Sequence, residues 1–403
     1  MLKFKDLKKE YLVVFLISIS IVFSGSLIAP IEQRFVSGLA ENSVLMGLVF
    51  TMGTLSLSVF ALIFGRLSRR YGKNRFIIIG AALGILYPLI YATSTNILQY
   101  MGGKLIFGFA GAALGPLLIA YLQEHLSGLK NQGRLLGYLW SAQSIAGSFG
   151  AILGGLIADK YFLSAPYYLQ FIVLLIPFLL AIKFFGEKKN KTQSQVSEVE
   201  PHSSHSYFFG VKYLFSKAYL LYHLILEIPF RLNWAVKIIL YPLIIISFVD
   251  SNVITGSVFA TQGVVAMIVL LFAGAFVDKK GYLIGMKMSF LILAVTSSLM
   301  AFSTSLKMFW IFAALFAVGE ALSGPAKGVL EIRNIENKYR AEVIAVFVTI
   351  GYIFEAISPF IAGILLTVLP PQTVLLFYSF TIWISLGVAN IILKARLKKK
   401  NKQ

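Results

Sequence analysis

The 403-residue chain has no cysteine, which excludes a disulfide framework, a thiolate metal site and thiol catalysis, while leaving the compartment open. Charge is scarce as well. Asp, Glu, Lys and Arg together make up 13% of the residues, against roughly 25% in an ordinary soluble domain, and the acids number 17. No glycine-rich phosphate loop of the GxxxxGK type occurs, so the chain brings no ATPase of its own and its energy must come from a gradient. His125, His202, His205 and His223 lack metal-ligand spacing with acidic partners, and neither a metal nor another cofactor is expected. What is abundant is apolar: 58% hydrophobic residues, with 34 Phe and 19 Tyr. That much apolar surface cannot be hidden inside a water-soluble body of this size, so lipid must be the main solvent.

The formal net charge of +19 would suggest a nucleic-acid partner in a soluble chain. Here the basic residues lie in short gaps between apolar runs, without an aromatic-basic recognition motif, so membrane lipid rather than nucleic acid is the expected partner. Twelve stretches approach the roughly 20 residues that cross a bilayer, at about 11–36, 43–65, 76–94, 97–122, 134–157, 163–184, 222–249, 252–277, 283–304, 306–329, 341–366 and 371–393. The first run exceeds a signal-peptide h-region and has no small-residue cleavage site after it, so it is expected to stay in the mature protein. Gaps on the side of the two termini hold most of the cations, among them Lys3, Lys5, Lys8, Arg66, Arg75, Lys130, Lys217, Lys279, Arg333 and Arg396. The other side has Arg34, Lys160 and Lys307. The positive-inside rule then puts both termini in the cytoplasm of a cell-membrane protein.

The long polar stretch from Gly186 to Ser206 has too few apolar residues to order itself and reads as a cytoplasmic linker. It divides the chain into residues 1–185, a linker region 186–216, and residues 217–403 with a basic tail. Landmarks recur across that divide. Gly65 and Gly72 return as Gly274 and Gly281, Gly115-Pro116 as Gly324-Pro325, and Gly154 as Gly363, all at an offset of 209, while Pro30 matches Pro242 at 212. A fixed offset is the signature of a duplicated unit, so the expected fold is an all-α membrane protein of twelve transmembrane helices in two pseudo-symmetric six-helix bundles.

Between the second and third spans runs Gly65-Arg66-Leu67-Ser68-Arg69-Arg70-Tyr71-Gly72-Lys73-Asn74-Arg75, which resembles the GxLxDRxGRR loop of the major facilitator superfamily. Its glycines permit a tight turn, and its cations can cap helix C-termini and pair with acids of the same half. Arg69 stands where the family has aspartate, whereas the second copy, Gly274 to Gly281, keeps the acid as Asp278. The resemblance therefore implies a cytoplasmic gate at Gly65, Arg69, Arg70, Gly72, Lys73 and Asp278 that is stabilised asymmetrically. Lys104 to Ala113 is similar to the family's RxxxGxGAA motif, with Lys104 in place of arginine. Gly137, Ala146, Gly150, Ala151, Gly154 and Gly155 are spaced like the glycine-proline motif of the antiporter branch. Small residues at these spacings serve close helix packing equally well. Tyr121, Glu124 and Arg134 fall where drug-proton antiporter relatives carry similar residues. The resemblance implies a substrate pathway lined by helices one, four, seven and ten that opens alternately to either side.

Ionisable residues within spans are costly and are functional candidates by default. Glu320 is the leading proton-coupling candidate, because a carboxyl in low dielectric can exchange protons near neutral pH; Glu355 and Glu32 follow. Lys237 and Arg231, with Asn233, Trp234, Lys104 and Arg34, are substrate-cavity candidates. The alternative for every one of these charges is mutual neutralisation, and Glu227–Arg231 and Asn233–Lys237 already sit at i,i+4 spacing. Tyr138, Trp140, Tyr241 and Tyr352 offer aromatic surface to a hydrophobic substrate or anchor the helices. The function expected is a monomeric, proton-coupled exporter of small amphiphilic molecules, and not an enzyme. An importer or exchanger of an organic anion or sugar stays open, as does a non-transporting receptor or scaffold.

Overall fold

The computed structural model describes residues 9–126, 132–187, 207–336 and 339–400, and every regular element among them is helical. The helices are α1 Lys9–Ile28, α2 Glu32–Leu39, α3 Ser43–Tyr71, α4 Lys73–Thr93, α5 Ile97–Ala112, α6 Leu118–Leu126, α7 Gln132–Lys160, α8 Ala165–Glu187, α9 Tyr207–Ser216, α10 Ala218–Phe248, α11 Asn252–Lys280, α12 Tyr282–Ala301, α13 Leu306–Asn334, α14 Arg340–Leu365 and α15 Pro371–Lys400. A π-type turn, Ala113–Leu117, joins α5 to α6, so the two form one span. With α2 and α9 short, twelve helices are long and apolar enough to cross a membrane, and the chain forms two pseudo-symmetric six-helix bundles.

The duplication has a physical content at the helix ends. Asn42 accepts a hydrogen bond from the Leu45 amide (2.9 Å) at the start of α3, and Ser251, 209 residues on, accepts one from the Ile254 amide (3.3 Å) at the start of α11. Asn96 and Ser305, also 209 apart, cap α5 and α13 by accepting from the Gln99 and Met308 amides at 2.9 and 3.4 Å. Each cap satisfies an amide that the first helical turn leaves without a partner. Gly72 and Gly281 are the positive-φ residues of the described chain, at 83° and 87°. Each is the single residue between two spans, in a backbone conformation that a side chain would strain.

The first span differs from its expected extent. Instead of running on to residue 36, α1 stops at Ile28 and a turn around Pro30 leads into the separate helix α2. Proline lacks the amide hydrogen that would continue the ladder and disfavours helical geometry in the residue before it. Glu32 and Arg34 therefore sit on α2 rather than at the end of a continuous span. Within the stretch read as linker, Tyr207–Ser216 forms α9, which buries Tyr213 and Leu214 and sets Phe209 and Tyr213 against the Tyr339 ring, with centroids 4.7 and 5.3 Å apart. Residues 188–206, with His202 and His205, lie outside the described set, as do Lys3, Lys5, Lys8 and Lys130 and the side chains of Arg69 and Arg134.

The first compact unit comprises residues 1–196 with Asp250–Ala260. Phe64, Ile77, Leu117, Tyr121 and Phe185 are part of its buried core. Its helices approach closely at α7. A Cβ on Gly150 would lie 2.5 Å from the Phe23 carbonyl oxygen, and one on Gly154 would run into the Leu27 carbonyl, so α1 packs backbone to backbone. Gly155 stands in the same relation to the Asn252 carbonyl, whereas Gly137 has nothing within 4 Å of such an atom. Asp159 accepts from the Ser251 hydroxyl (3.0 Å), the Asn252 amide (3.1 Å) and side chain (2.6 Å), and the Val253 amide (3.0 Å), placing a carboxylate at the N-terminus of α11. The second unit comprises residues 197–249 and 261–403. There Ser289 donates to the Gly319 carbonyl (2.7 Å), and Tyr378 donates to the Ser358 carbonyl (2.7 Å), tying α12 to α13 and α15 to α14.

Candidate functional site

Lipid offers no counter-charge, so an ionisable group inside a span is stable only beside a partner or water. Among the described residues three charge centres meet this condition, one in the first unit and two in the second.

In the first unit, Lys104 on α5 reaches Glu32 on α2 at 2.5 Å, with side chains 7% and 4% exposed. The Tyr100 hydroxyl donates to the same Glu32 oxygen (2.8 Å) and lies 3.1 Å from the Tyr167 hydroxyl. The Lys104 ammonium sits 5.0 Å from the Phe50 ring centroid, 5.4 Å from Phe107, 5.6 Å from Tyr91 and 5.8 Å from Tyr100. An aromatic box with a carboxylate at one side holds this cation through ring quadrupoles and a charge-assisted bond together. The break after α1 makes the pairing possible, because it gives Glu32 its own helix. Arg34, on the same helix, makes a two-pronged contact with Asp250 at 2.5 and 3.3 Å at an exposed rim.

In the second unit, Lys237 on α10 donates to both oxygens of Glu320 on α13 at 2.9 and 3.0 Å, the side chains being 13% and 12% exposed. The ammonium also lies 4.4 Å from the Trp234 ring centroid, and Trp234 itself is exposed. Asn233 turns the other way. It donates to the Pro229 carbonyl (2.9 Å) and to the Tyr378 carbonyl (3.1 Å), which fastens α10 to α15.

The third centre gathers charges from three helices. Arg231 donates to Glu227 (2.7 Å) one turn earlier on α10 and to Glu355 (2.8 Å) on α14. Lys327 on α13 contacts Glu227 at 2.6 Å and lies over the Phe230 ring at 3.6 Å. His223 is buried between Glu227 and Glu331, one ring nitrogen 3.6 Å from each, and its ring stacks on Phe347. The sequence singled out Glu227, Arg231 and Glu355, weighed His223 as a metal ligand alone, and passed over Lys327 and Glu331. Their signal was available. Glu320, Lys327 and Glu331 are spaced seven and four apart, and so share one helix face.

The expected gate residues are placed more loosely. Lys73 pairs with Glu124, joining α4 to α6, and Arg70 lies 5.3 Å from the centroid of its neighbour Tyr71. Asp278 is exposed in the last turn of α11, and Gly65 has no atom within 4 Å of where a Cβ would be.

With this geometry in view, a family model described as "Major Facilitator Superfamily" matches residues 12–249. An uncharacterized MFS-type transporter of Methanocaldococcus jannaschii is 23% identical over 372 residues, covering 89% of this chain and 92% of its own. Tetracycline resistance protein, class H, of Pasteurella multocida is 28% identical over 241 residues, 55% of this chain and 57% of that one. Multidrug resistance protein 2 of Bacillus subtilis is 25% identical over 205 residues, half of each chain. Among solved structures, the nucleoside transporter NupG superposes with a TM-score of 0.75 at 12% identity, covering 96% of this chain and all of that one. An auto-inhibited POT family peptide transporter gives 0.74 at 11%, covering 96% and 97%.

Proposed function

Because the chain belongs to the Major Facilitator Superfamily, whose members are transporters embedded in membranes, we propose that it is a secondary active transporter that exports small amphiphilic molecules in exchange for protons by alternating access. It works as a monomer in the cytoplasmic membrane, with both termini in the cytoplasm and membrane lipid and small-molecule substrate as its partners. The observation that carries the proposal is the Lys237–Glu320 pair, a carboxylate and an ammonium at bonding distance, one-eighth exposed, on two long apolar helices. A proton arriving on Glu320 removes its charge and leaves Lys237 without a full counter-ion, so the pair is stable in one protonation state and strained in the other. A site that differs in energy between two states is what lets a proton gradient shift a conformational equilibrium. The exposed face of Trp234 beside this pair supplies flat apolar surface for an amphiphile.

Relatives named for multidrug and tetracycline resistance support the amphiphile reading, each over about half its length. The rival in which Lys104, Arg231 and Lys237 hold an organic anion loses ground, because each of these cations already meets a carboxylate. The test is transport in proteoliposomes under an imposed pH gradient, following ethidium and lumenal pH, with wild type compared to Glu320→Gln. Wild-type accumulation of ethidium coupled to proton movement, abolished by Glu320→Gln, is the expected result. Movement of anions or sugars alone, indifferent to that substitution, would overturn it.

A further inference from the structure

The pairs Lys104–Glu32, Lys237–Glu320 and Arg34–Asp250 each match one carboxylate with one cation. The third centre does not. From α10 it receives Glu227, Arg231 and His223, from α13 Lys327 and Glu331, and from α14 Glu355, with the Tyr352 ring lying 5.7 Å from the Arg231 guanidinium. That is three carboxylates against two fixed cations. The imidazole meets two carboxylates, so its charge can vary without opening a Lys or Arg ion pair. An uncompensated negative charge among apolar helices is costly, and a single bound proton removes it.

The arrangement also supplies a route. Glu331 is the more exposed flank, with 24% of its side chain accessible, while His223 is 2% exposed and Glu227 8%. The His223 nitrogens face these two carboxyl groups from opposite edges of the ring, each at 3.6 Å. An imidazole can accept a proton on one nitrogen as it gives one up from the other. At 3.6 Å neither contact is yet a hydrogen bond, so a small shift of the ring or of either carboxyl makes or breaks each link. Stacking on Phe347, with centroids 4.5 Å apart, holds the ring plane while this happens.

We propose that the His223–Glu227–Glu331–Glu355 cluster is a proton-binding site in its own right, separate from Lys237–Glu320, and that His223 is the relay between the more exposed Glu331 and the buried Glu227. A proton on Glu331 passes to Nδ1 while Nε2 releases one to Glu227. Glu227, once neutral, loosens its hold on Lys327 and Arg231, which ties occupancy of the site to the packing of α10 against α13 and α14. The proposal rests on the transporter reading for its second test alone.

The first test needs no substrate. Full-length protein with nitrogen-15-labelled histidine is titrated by NMR in detergent across about pH 5 to 8, the range in which an imidazole changes charge. The His223 resonance is assigned by its absence in H223N. It is expected to change with pH, and E331Q and E355Q are expected to displace that response while E320Q does not. A His223 resonance that ignores pH, or one blind to E331Q, overturns the proposal. The second test uses proteoliposomes. H223N and H223Q are expected to lose ethidium accumulation driven by a pH gradient while keeping ethidium exchange at equal pH on both sides. Loss of both activities in folded protein, or accumulation that follows a sodium gradient at fixed pH, overturns the relay. A wild type that moves no ethidium at all refutes the export reading and leaves the NMR result to decide this one.

Discussion

Removing one member of the Lys237–Glu320 pair should cost far more than removing both. Breaking a buried pair by deleting one partner costs about 3–5 kcal/mol, because the survivor is a charge without compensation. Here two features lower that figure. The side chains are 13% and 12% exposed, and after Glu320→Leu the ammonium still faces the Trp234 ring at 4.4 Å, a contact worth about 0.5–2 kcal/mol. Glu320→Leu should therefore destabilise the second unit by about 2–3 kcal/mol. Lys237→Met, which leaves the carboxylate with no such aromatic face, should cost about 3–4 kcal/mol. The double variant, with two apolar side chains of similar volume, should return to within about 1 kcal/mol of wild type. The assay is denaturant unfolding in detergent micelles followed by tryptophan fluorescence, for all four proteins of the cycle. If the two losses simply add in the double variant, the pair carries no mutual energy and the reasoning fails.

Gly154→Ala would drive a methyl group into the Leu27 carbonyl and should separate α1 from α7, costing about 1–3 kcal/mol and visible as lost monodisperse protein on size-exclusion chromatography, whereas Gly137→Ala, in open space, should be silent. Gly72→Ala and Gly281→Ala should each cost about 1–2 kcal/mol from the positive φ alone, measured by the same unfolding assay, with Gly65→Ala as the unstrained control. Asp159→Ala removes the acceptor for four donors at the start of α11 and should lower stability by about 1–2 kcal/mol, while Asp159→Asn, which keeps an acceptor oxygen, should recover part of it. Gly351→Leu would press on the Arg231 side chain, whose Nε lies 3.1 Å from a Cβ there, and should disturb its bonds to Glu227 and Glu355 enough to reduce transport.

Twelve spans and a duplicated frame were legible because lipid imposes length and apolarity on each helix, and because the glycines and the Gly-Pro pair recur at one offset. The break at Pro30 was signalled by Glu32, Gln33 and Arg34 directly after it, and it was passed over because Phe35 and Val36 beyond them let the span be read on to residue 36. Partnerships between helices were not legible at all. Glu227–Arg231 could be expected from i,i+4 spacing, but nothing in one dimension joins Glu320 to Lys237, 83 positions apart, or Glu32 to Lys104 at 72. Glu331 was passed over, and His223 weighed as a metal ligand alone, for a different reason. They lie near the ends of their spans, where polar residues are ordinary and carry little information. The buried charges also have no counterpart at the repeat offset: Lys104 aligns with Ala313 and Glu320 with Gly111, so comparing the halves could not point to them.

The π-type turn at Ala113–Leu117 bears on that last point. Gly115-Pro116 lies inside it, yet its twin, Gly324-Pro325, lies inside the uninterrupted helix α13. A wider turn accommodates one extra residue and so rotates everything beyond it by on the order of 100°, one residue's share of the helical circle. In α13 no such rotation intervenes, and Glu320, Lys327 and Glu331 stay in phase along a single stripe that spans both charge centres of the second unit. In the α5–α6 span the phase is reset midway. That turn lies between Lys104, which pairs with Glu32, and Glu124, which pairs with Lys73. Two helices descended from one pattern thus act as different components: one wires its charges in series, and the other keeps them on separate circuits.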